Sequence, residues 1–586
     1  MAALLEEALA LHRTGRLADA ERMYRQILAI EPDHFDCLHM LGVISAQRGK
    51  YAEAVEQISA ALALNPNHFD ALSNRGNAQL ALRRFDDALA SYDRALVPQP
   101  NSVEVQFNRG NALHVLNRHG EALASYDRVL TVQPDHVEAL VNRGVTLLAL
   151  ERFEEALASC DRALALRANF AEALFNRGLA LHRMKRFEDA LASYDRALAT
   201  RSDYEQAHYN RANTLLAIGR FEAAVASYDR AIALRTDHAE AHSNRGVALG
   251  NLMRVDEALA NFDRARALRP DFADAHYNEA LCRLQIGDMR GGWKKHEWRW
   301  ETGQFNQEKR SFRQALWLGS GEIAGKTILL HAEQGFGDTI QFCRYAPLVV
   351  ERGAHVILQV QRSLRDLMHT LSRAPRIAAN GEPLPDFDLH CPLLSLPLAF
   401  GTELATIPSG APYLQATPDA VTQWGGKLPP KIRPRIGLVW SGRVAHLNDR
   451  NRSVPIDVFL SALSGVDTTY VSLQREFRAG DLALLGERGD VVCFGEELQN
   501  FSDTAALIAN LDLVISVDTS VAHLAGALAK PVWIVLPYNP DWRWLLDRDD
   551  SPWYPTARLF RQDRSRTWDS VMKRLRAVLQ DYVRGL

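Results

Sequence analysis

The sequence predicts an all-α repeat superhelix followed by an α/β half made of two doubly wound domains. Three observations carry this. The triplet Asn-Arg-Gly returns about every 34 residues through the first half. All eleven tryptophans lie at or after Trp293, so the composition changes there. Leu513–Leu536 reads as apolar run, polar turn, small-residue segment and apolar run, the order of strand, turn, helix and strand in a parallel sheet.

The repeats come first in the chain. Asn74-Arg75-Gly76 recurs as Asn108-Arg109-Gly110, Asn142-Arg143-Gly144, Asn176-Arg177-Gly178, Asn210-Arg211-Ala212 and Asn244-Arg245-Gly246, and ends as Asn278-Glu279-Ala280. Alanines (Ala20 to Ala258), aromatics (Tyr24, Tyr92, Tyr126, Tyr194, Tyr228, Phe262) and prolines (Pro32, Pro66, Pro100, Pro134, Pro270) keep the same phase. Small residues let two helices approach, the aromatic fills the gap between them, and proline stops the second helix. The period is that of tetratricopeptide repeats, and residues 1–300 resemble about nine of them, each burying its apolar face on its neighbours.

An asparagine at one helical position in seven consecutive repeats presents a ladder of amides (Asn74, Asn108, Asn142, Asn176, Asn210, Asn244, Asn278), each able to pair with a peptide group. This resembles the asparagine ladder of eukaryotic O-GlcNAc transferases, which holds acceptor polypeptides by their backbones. The alternative is that each Asn bonds a neighbouring helix and fixes repeat register. The adjacent arginines have aspartates in phase with them (Asp93, Asp127, Asp161, Asp195, Asp229, Asp263), which predicts Arg–Asp pairing between helices.

Composition limits the function classes. Hydrophobic content of 47% and a net charge of −3 over 586 residues describe a soluble, multi-domain chain without a basic nucleic-acid surface. Six dispersed cysteines with no CxxC predict reduced thiols in the cytoplasm, and neither a zinc site nor a disulfide framework. The N-terminal stretch lacks the pattern of a signal peptide, and no apolar run is long enough to span a membrane.

After the repeats, Arg290–Trp300 (RGGWKKHEWRW) predicts a docking helix, or a cap with an apolar outer face. Residues 301–326 are a junction, with Glu301–Gly325 irregular and Trp317 its anchor. The first α/β domain spans 327–415: strand Thr327–His331, turn Glu333–Asp338, helix Thr339–Glu351, strand His355–Val360, helix Arg362–Leu371 and strand Phe387–Cys391. Pro408–Leu414 and Pro429-Pro430 mark the linker. The second domain spans 433–586, with strands Arg435–Trp440, Tyr470–Gln474 and Val491–Phe494. A polar loop Ser441–Pro455 and helices Phe501–Asn510 and Thr567–Leu586 complete it around Leu513–Leu536. Two Rossmann-like domains in tandem form the GT-B arrangement.

Gly335–Asp338 followed by a helix is similar to the N-terminal signature of glycosyltransferase family 9, the heptosyltransferases. Asp518-Thr519-Ser520-Val521-Ala522-His523, with Gly526-Ala527-Leu528 and Lys530-Pro531, is similar to that family's C-terminal signature, although the family usually has glycine where Ser520 stands. The whole chain resembles bacterial repeat-plus-glycosyltransferase fusions, including those that modify flagellin with a nonulosonic acid. Tyr538–Trp544 and Ser551–Pro555 are typical of such fusions.

The resemblance implies a metal-independent, inverting glycosyltransferase with no cofactor, using a nucleotide-sugar as donor substrate and a polypeptide acceptor, in one version flagellin. Asp338 would be the general base, or else an N-cap. The N-terminus of the helix opening at Asp518, Thr519 and Ser520 would bind the donor phosphate, or is simply a capped helix. Arg450 and Arg452 would contact the same phosphate, or belong to a solvated loop. Ser441 and Gly442 would bring the backbone close to it. His523 would reach phosphate or sugar, or is structural. Trp542 and Trp544 would stack on a ligand, or pack inside. Two rival expectations are a transferase acting on a lipid-linked or surface glycan, and a repeat scaffold with an inactive transferase half.

Overall fold

The computed structural model describes residues 1–305, 307, 309–333, 335–373, 375–444 and 448–585. Gln334 of the expected turn, Ala445–Leu447 of the expected loop, Asn306 and Glu308 of the junction and the terminal Leu586 lie outside the described residues. The chain forms two compact units, Met1–Asp237 and His238–Leu586.

The first unit is a stack of antiparallel helix pairs from Ala2–Arg13 to Phe221–Leu234; two further pairs, Ala239–Asn251 with Val255–Leu268 and Ala273–Gln285 with Met289–His296, open the second. First helices begin at Phe35, Phe69, Val103, Val137, Ala171, Glu205, Ala239 and Ala273, a step of 34 each time. The motif glycine explains the close approach within a pair. A Cβ at Gly76, Gly110 or Gly178 would stand 2.5–2.6 Å from the ring of Tyr92, Tyr126 or Tyr194. Each tight turn within a pair passes through the left-handed region, at Gly15, Gly49, Arg83, Asn117, Glu151, Lys185, Gly219, Met253 and Gly287. Glycine serves this turn without strain; five repeats use other residues there.

The arginine beside the glycine joins three helices. Arg109 bonds Asp93 of the preceding repeat at 2.6 Å and Ser125 of its own second helix at 2.7 Å. Arg143, Arg177 and Arg211 repeat this with Asp127 and Ser159, Asp161 and Ser193, and Asp195 and Ser227. The expected Arg–Asp pairing is therefore present, with serine added. About half of each aspartate is exposed, so each pair stabilises only modestly.

In the second unit the α/β half holds two all-parallel sheets. The first has strands β1 (Ala315–Leu316), β2 (Thr327–His331), β3 (His355–Val360), β4 (Arg376–Ala379) and β5 (Leu389–Pro392), in the order β1-β5-β2-β3-β4. The second has β6 (Arg435–Val439), β7 (Thr469–Ser472), β8 (Val491–Cys493), β9 (Leu513–Val517), β10 (Val532–Leu536) and β11 (Ala557–Arg561), in the order β11-β10-β9-β6-β7-β8. From β2 in the first sheet and from β6 in the second, the chain runs outward one way and then returns to the other side of that strand. The turning points lie after β2 and β5, and after β6 and β9. Ligands of open parallel sheets bind at such points, at the carboxyl ends of the strands.

Several expected elements change. Thr339–Glu351 is not one helix: Phe336–Phe342 is α, Cys343–Tyr345 is a 3-10 turn, and Ala346–Glu351 resumes with Pro347 in its first turn, where a missing N–H does no harm. Arg362–Leu371 shortens to a 3-10 turn and Arg365–Met368. Helix Pro418–Lys427 occupies the middle of the expected linker.

The repeats end inside this unit. Trp293 is buried, donates its indole N–H to the Thr402 carbonyl at 3.0 Å, and meets Trp542 edge-on at 5.1 Å. Trp317 is buried against Phe400. Arg344 crosses the unit's other joint. It donates to the carbonyls of Gln341 (2.7 Å), Pro408 (3.2 Å) and Trp553 (2.8 Å) and to the Tyr413 hydroxyl (2.8 Å). One buried guanidinium thus joins the first α/β domain, the linker and the C-terminal segment. Among the described residues no helix is long and apolar enough to cross a membrane.

Candidate functional site

A cleft of about 960 Å³ lies within the second unit. Its walls come from the loop after β2, the loops after β6, β7 and β9, the segment Asn539–Arg543 and the last repeat helices. It therefore sits where both sheets place their turning points.

Asp338 stands in the first turn of helix Phe336–Phe342. It does not cap that helix; Gly335 holds the cap position, with no side-chain capping bond. Its carboxylate instead accepts a 2.5 Å bond from Arg543 Nη2. Burial pushes the Asp338 carboxyl above the ordinary range, Arg543 opposes this, and Asp541 adds to it. Arg543 also bonds Asp541 at 2.9 Å and Gln341 at 2.7 Å.

Opposite, helix Ser520–Ala527 opens at the end of β9. Thr519 holds the cap position, but no side chain caps the helix; the Thr519 hydroxyl turns to Ser516 at 3.1 Å. Without a side-chain cap, the helix starts at the cleft, where Thr519, Ser520 and Val521 line the wall. Asp518 lines the same wall. Its carboxyl is pushed up to about 6 by burial and by Asp541, against the pull of Arg452 and Arg543.

Arg452 reaches this wall. Its Nη1 donates to the Asp518 carbonyl at 2.9 Å, while its Nε is buried without a partner. The guanidinium lies over Gly442, where a Cβ would come within 2.5 Å of it. Ser441 is fixed by Gln474, whose side-chain amide donates to the Ser441 hydroxyl and carbonyl at 3.0 Å each. Arg450 differs: it is exposed and is not part of the cleft wall. The two arginines lie two residues apart on one short helical turn, which points them in different directions.

His523 lines the cleft but is a packed residue. Its Nδ1 meets the Tyr554 hydroxyl at 2.9 Å, its ring stacks on Trp544 at 5.3 Å, and its Nε2 lies 4.0 Å from Asp518. Burial, with Arg543, Arg344 and Arg452 nearby, holds it neutral, its pKa well below the usual value. Gly337 allows this packing, since a Cβ there would come 2.8 Å from the His523 ring. Trp544 is buried and packed, and Trp542, though buried, also lines the cleft.

Of the asparagine positions, Asn278 alone lies on the cleft wall. Asn108 and Asn142 donate to Asn77 and Asn111 of the preceding repeat at 3.0 and 2.9 Å. Asn74 meets His39 at 3.1 Å, and Asn210 bonds its own helix at Gln206. Asn176 is buried and Asn244 half-buried.

Sequence reasoning missed Arg543, Gln474 and Tyr554. The available signal was Arg543 itself, a cation between two tryptophans in a segment too aromatic to stay in water. Among the described residues no group of three or more His, Cys, Asp or Glu gathers in a way that could hold a metal ion.

Comparison with known proteins agrees with both halves. Tetratricopeptide repeat models match residues 1–26, 39–170, 171–204, 212–252 and 249–290. The model of glycosyltransferase family 9 (heptosyltransferase) matches residues 498–540. Protein FlbA of Caulobacter vibrioides is 24% identical over 327 residues, 52% of this chain; the chain spans about half (54%) of that relative's length. Among solved structures, a tetratricopeptide repeat protein from Parabacteroides merdae is 19% identical, with a TM-score of 0.36 over 42% of this chain and 98% of that one. YrrB, a TPR protein with an unusual peptide-binding site, is 22% identical, with a TM-score of 0.29 over 32% and 98%. The chain thus carries tetratricopeptide repeats across its N-terminal region and, in its α/β part, a segment that matches glycosyltransferase family 9, which supports a glycosyltransferase.

Proposed function

We propose that the protein is an inverting, metal-independent O-glycosyltransferase that moves a sugar from a nucleotide-sugar to Ser or Thr of a polypeptide, with no further cofactor. The observation that carries this reading is the pairing within one cleft. Asp338, a carboxylate of raised pKa, shares that cleft with an uncapped helix N-terminus and the partly unpaired Arg452.

Asp338 takes the proton of the acceptor hydroxyl as its oxygen attacks the anomeric carbon. The bond from that carbon to the donor phosphate breaks. The charge left on phosphate meets the first N–H groups of helix Ser520–Ala527 and the Arg452 guanidinium. Ser441 and Gly442 let the backbone come close to the same group.

In the repeats, Asn108 and Asn142 already commit an N–H to a neighbour. What they offer an extended acceptor is a side-chain carbonyl for its backbone N–H. A flagellin acceptor with a CMP-activated nonulosonic acid is the most specific form of this reading and rests on the likeness to repeat-plus-transferase fusions. The family 9 match favours a second reading, a glycan acceptor; under it, Asn→Ala changes in the repeats would leave transfer intact.

The test is the intact mass of flagellin co-expressed with wild-type protein or with Asp338→Asn. The expected result is a sugar-sized mass increase with the wild type, and transfer reduced by about a hundred-fold or more in the variant. Full transfer by folded Asp338→Asn would overturn the reading.

A further inference from the structure

The last repeats and the turn after them bond the two loops that carry Asp338 and Arg543. On one side Arg299, just past the final repeat helix, is buried and forks onto Glu333, with Nε–Oε2 and Nη2–Oε1 both 3.0 Å. Glu333 belongs to the loop after β2 that leads to Asp338. The same guanidinium bonds Glu297 at 2.7 Å and Ser395 at 2.9 Å, which fixes its direction.

On the other side Gln285 donates to the Asn539 side-chain oxygen at 2.6 Å and to the Pro540 carbonyl at 2.9 Å. Asn539 in turn donates to the Asn251 side-chain oxygen at 3.2 Å. Asn251 and Gln285 lie on the first helices of the last two repeats; Asn539-Pro540 runs directly into Asp541 and Arg543. Among the described residues these amides bond one another, so their part is to hold a loop in place.

We propose that residues 239–301 are a positioning element of the transferase site: Arg299–Glu333 and Gln285–Asn539–Asn251 set Asp338 and Arg543 in register, and the site is incomplete without these repeats. The proposal rests on reading Asp338 as the base. Its placement matters because small displacements of a reacting group are costly in rate.

The charged and titratable groups facing Asp338 are Arg543 and Asp541 from the C-terminal loop, Arg299 from the turn past the last repeat helix, Glu333 from the loop after β2, Tyr277 from the last repeat, and His523 across Gly337. Arg543 is the largest of the influences that lower the Asp338 pKa. Loosening the Gln285 clamp lets Arg543 withdraw, so the carboxyl takes up its proton at higher pH and the acid limb of activity moves upward.

The experiment uses the full chain, with Gln285→Ala and Asn539→Ala and with Asp338→Asn as reference. Hydrogen exchange is followed in peptides covering 335–342 and 538–545, and donor turnover is measured against pH with CMP-, UDP-, GDP- and ADP-sugars. Exchange should rise about ten-fold or more in both loops. For any donor turned over, kcat should fall by about a hundred-fold with KM little changed, and the acid limb should shift upward. Faster exchange confined to 538–541, with an unmoved acid limb, would overturn the proposal. If Asp338→Asn keeps full turnover, the base reading fails by itself, and exchange in the two loops still decides whether the clamp couples them. If no donor is turned over, exchange decides alone: a rise in both loops upholds the coupling, and a rise confined to 538–541 refutes it.

Discussion

Three carboxylates, Asp338, Asp518 and Asp541, share the neighbourhood of Arg543, and the cation cannot neutralise all of them. Asp518 carries the clearest consequence. Its folded pKa of about 6 lies above the ordinary 3.8, so the folded chain favours the protonated form. The stability this contributes is complete below the ordinary value and is lost as pH rises through about 6. Asp518→Asn keeps the neutral form at every pH. Thermal melts should therefore show the variant gaining roughly 1–3 kcal/mol over wild type at about pH 8 and little at about pH 4. An equal shift at both ends would refute it. This network was not legible in the sequence, because Arg543 and Asp338 are 205 residues apart and only the fold brings them together. That Asp338 and Arg452 would lie at the cleft was legible, since each follows a strand at a turning point. That Arg450 lies off the cleft wall was not, because spacing along a loop does not say which neighbour faces inward.

Among elements, the helix pair of a repeat is held by one ring against one missing side chain. Gly110→Val would drive a branched side chain into Tyr126, and overpacking of this kind costs about 1–3 kcal/mol. Gly120, in the next helix, faces open space. Gly120→Ala should therefore stabilise slightly, by roughly 0.5–1 kcal/mol. Chemical denaturation of the two variants beside wild type checks the contrast; equal effects would sink it. Strands β2, β3, β9 and β10 were readable to the residue, since buried parallel strands are continuous apolar runs. Strands β1, β4 and β11 were not. The first has two residues, the second four, and β11 carries Arg558 and Arg561 within a run that burial alone would leave apolar.

For the whole molecule, the boundary that composition placed near residue 300 is not where the compact units divide, which is between Asp237 and His238. The reason is visible at Trp293, a repeat residue whose ring lies among Phe342, Trp542 and Trp553 of the α/β half. Trp293→Ala should lower the stability of the second unit by about 3–5 kcal/mol, read as a lower melting temperature for that unit. Loss of less than about 1 kcal/mol would mean the ring is not a keystone of that core. The repeat period was legible because identical packing problems recur in identical phase. The shared ownership of the last repeats was not, because nothing in a period says what its final copy touches.

Arg344 has a consequence for movement between the two α/β domains. Its buried guanidinium draws three separate stretches of backbone to one point. For the two α/β domains to swing apart, at least one of these charge-assisted bonds must break, in a place that water does not readily reach. The joint is therefore a latch as well as a seam: movement of one α/β domain against the other carries the cost of opening it.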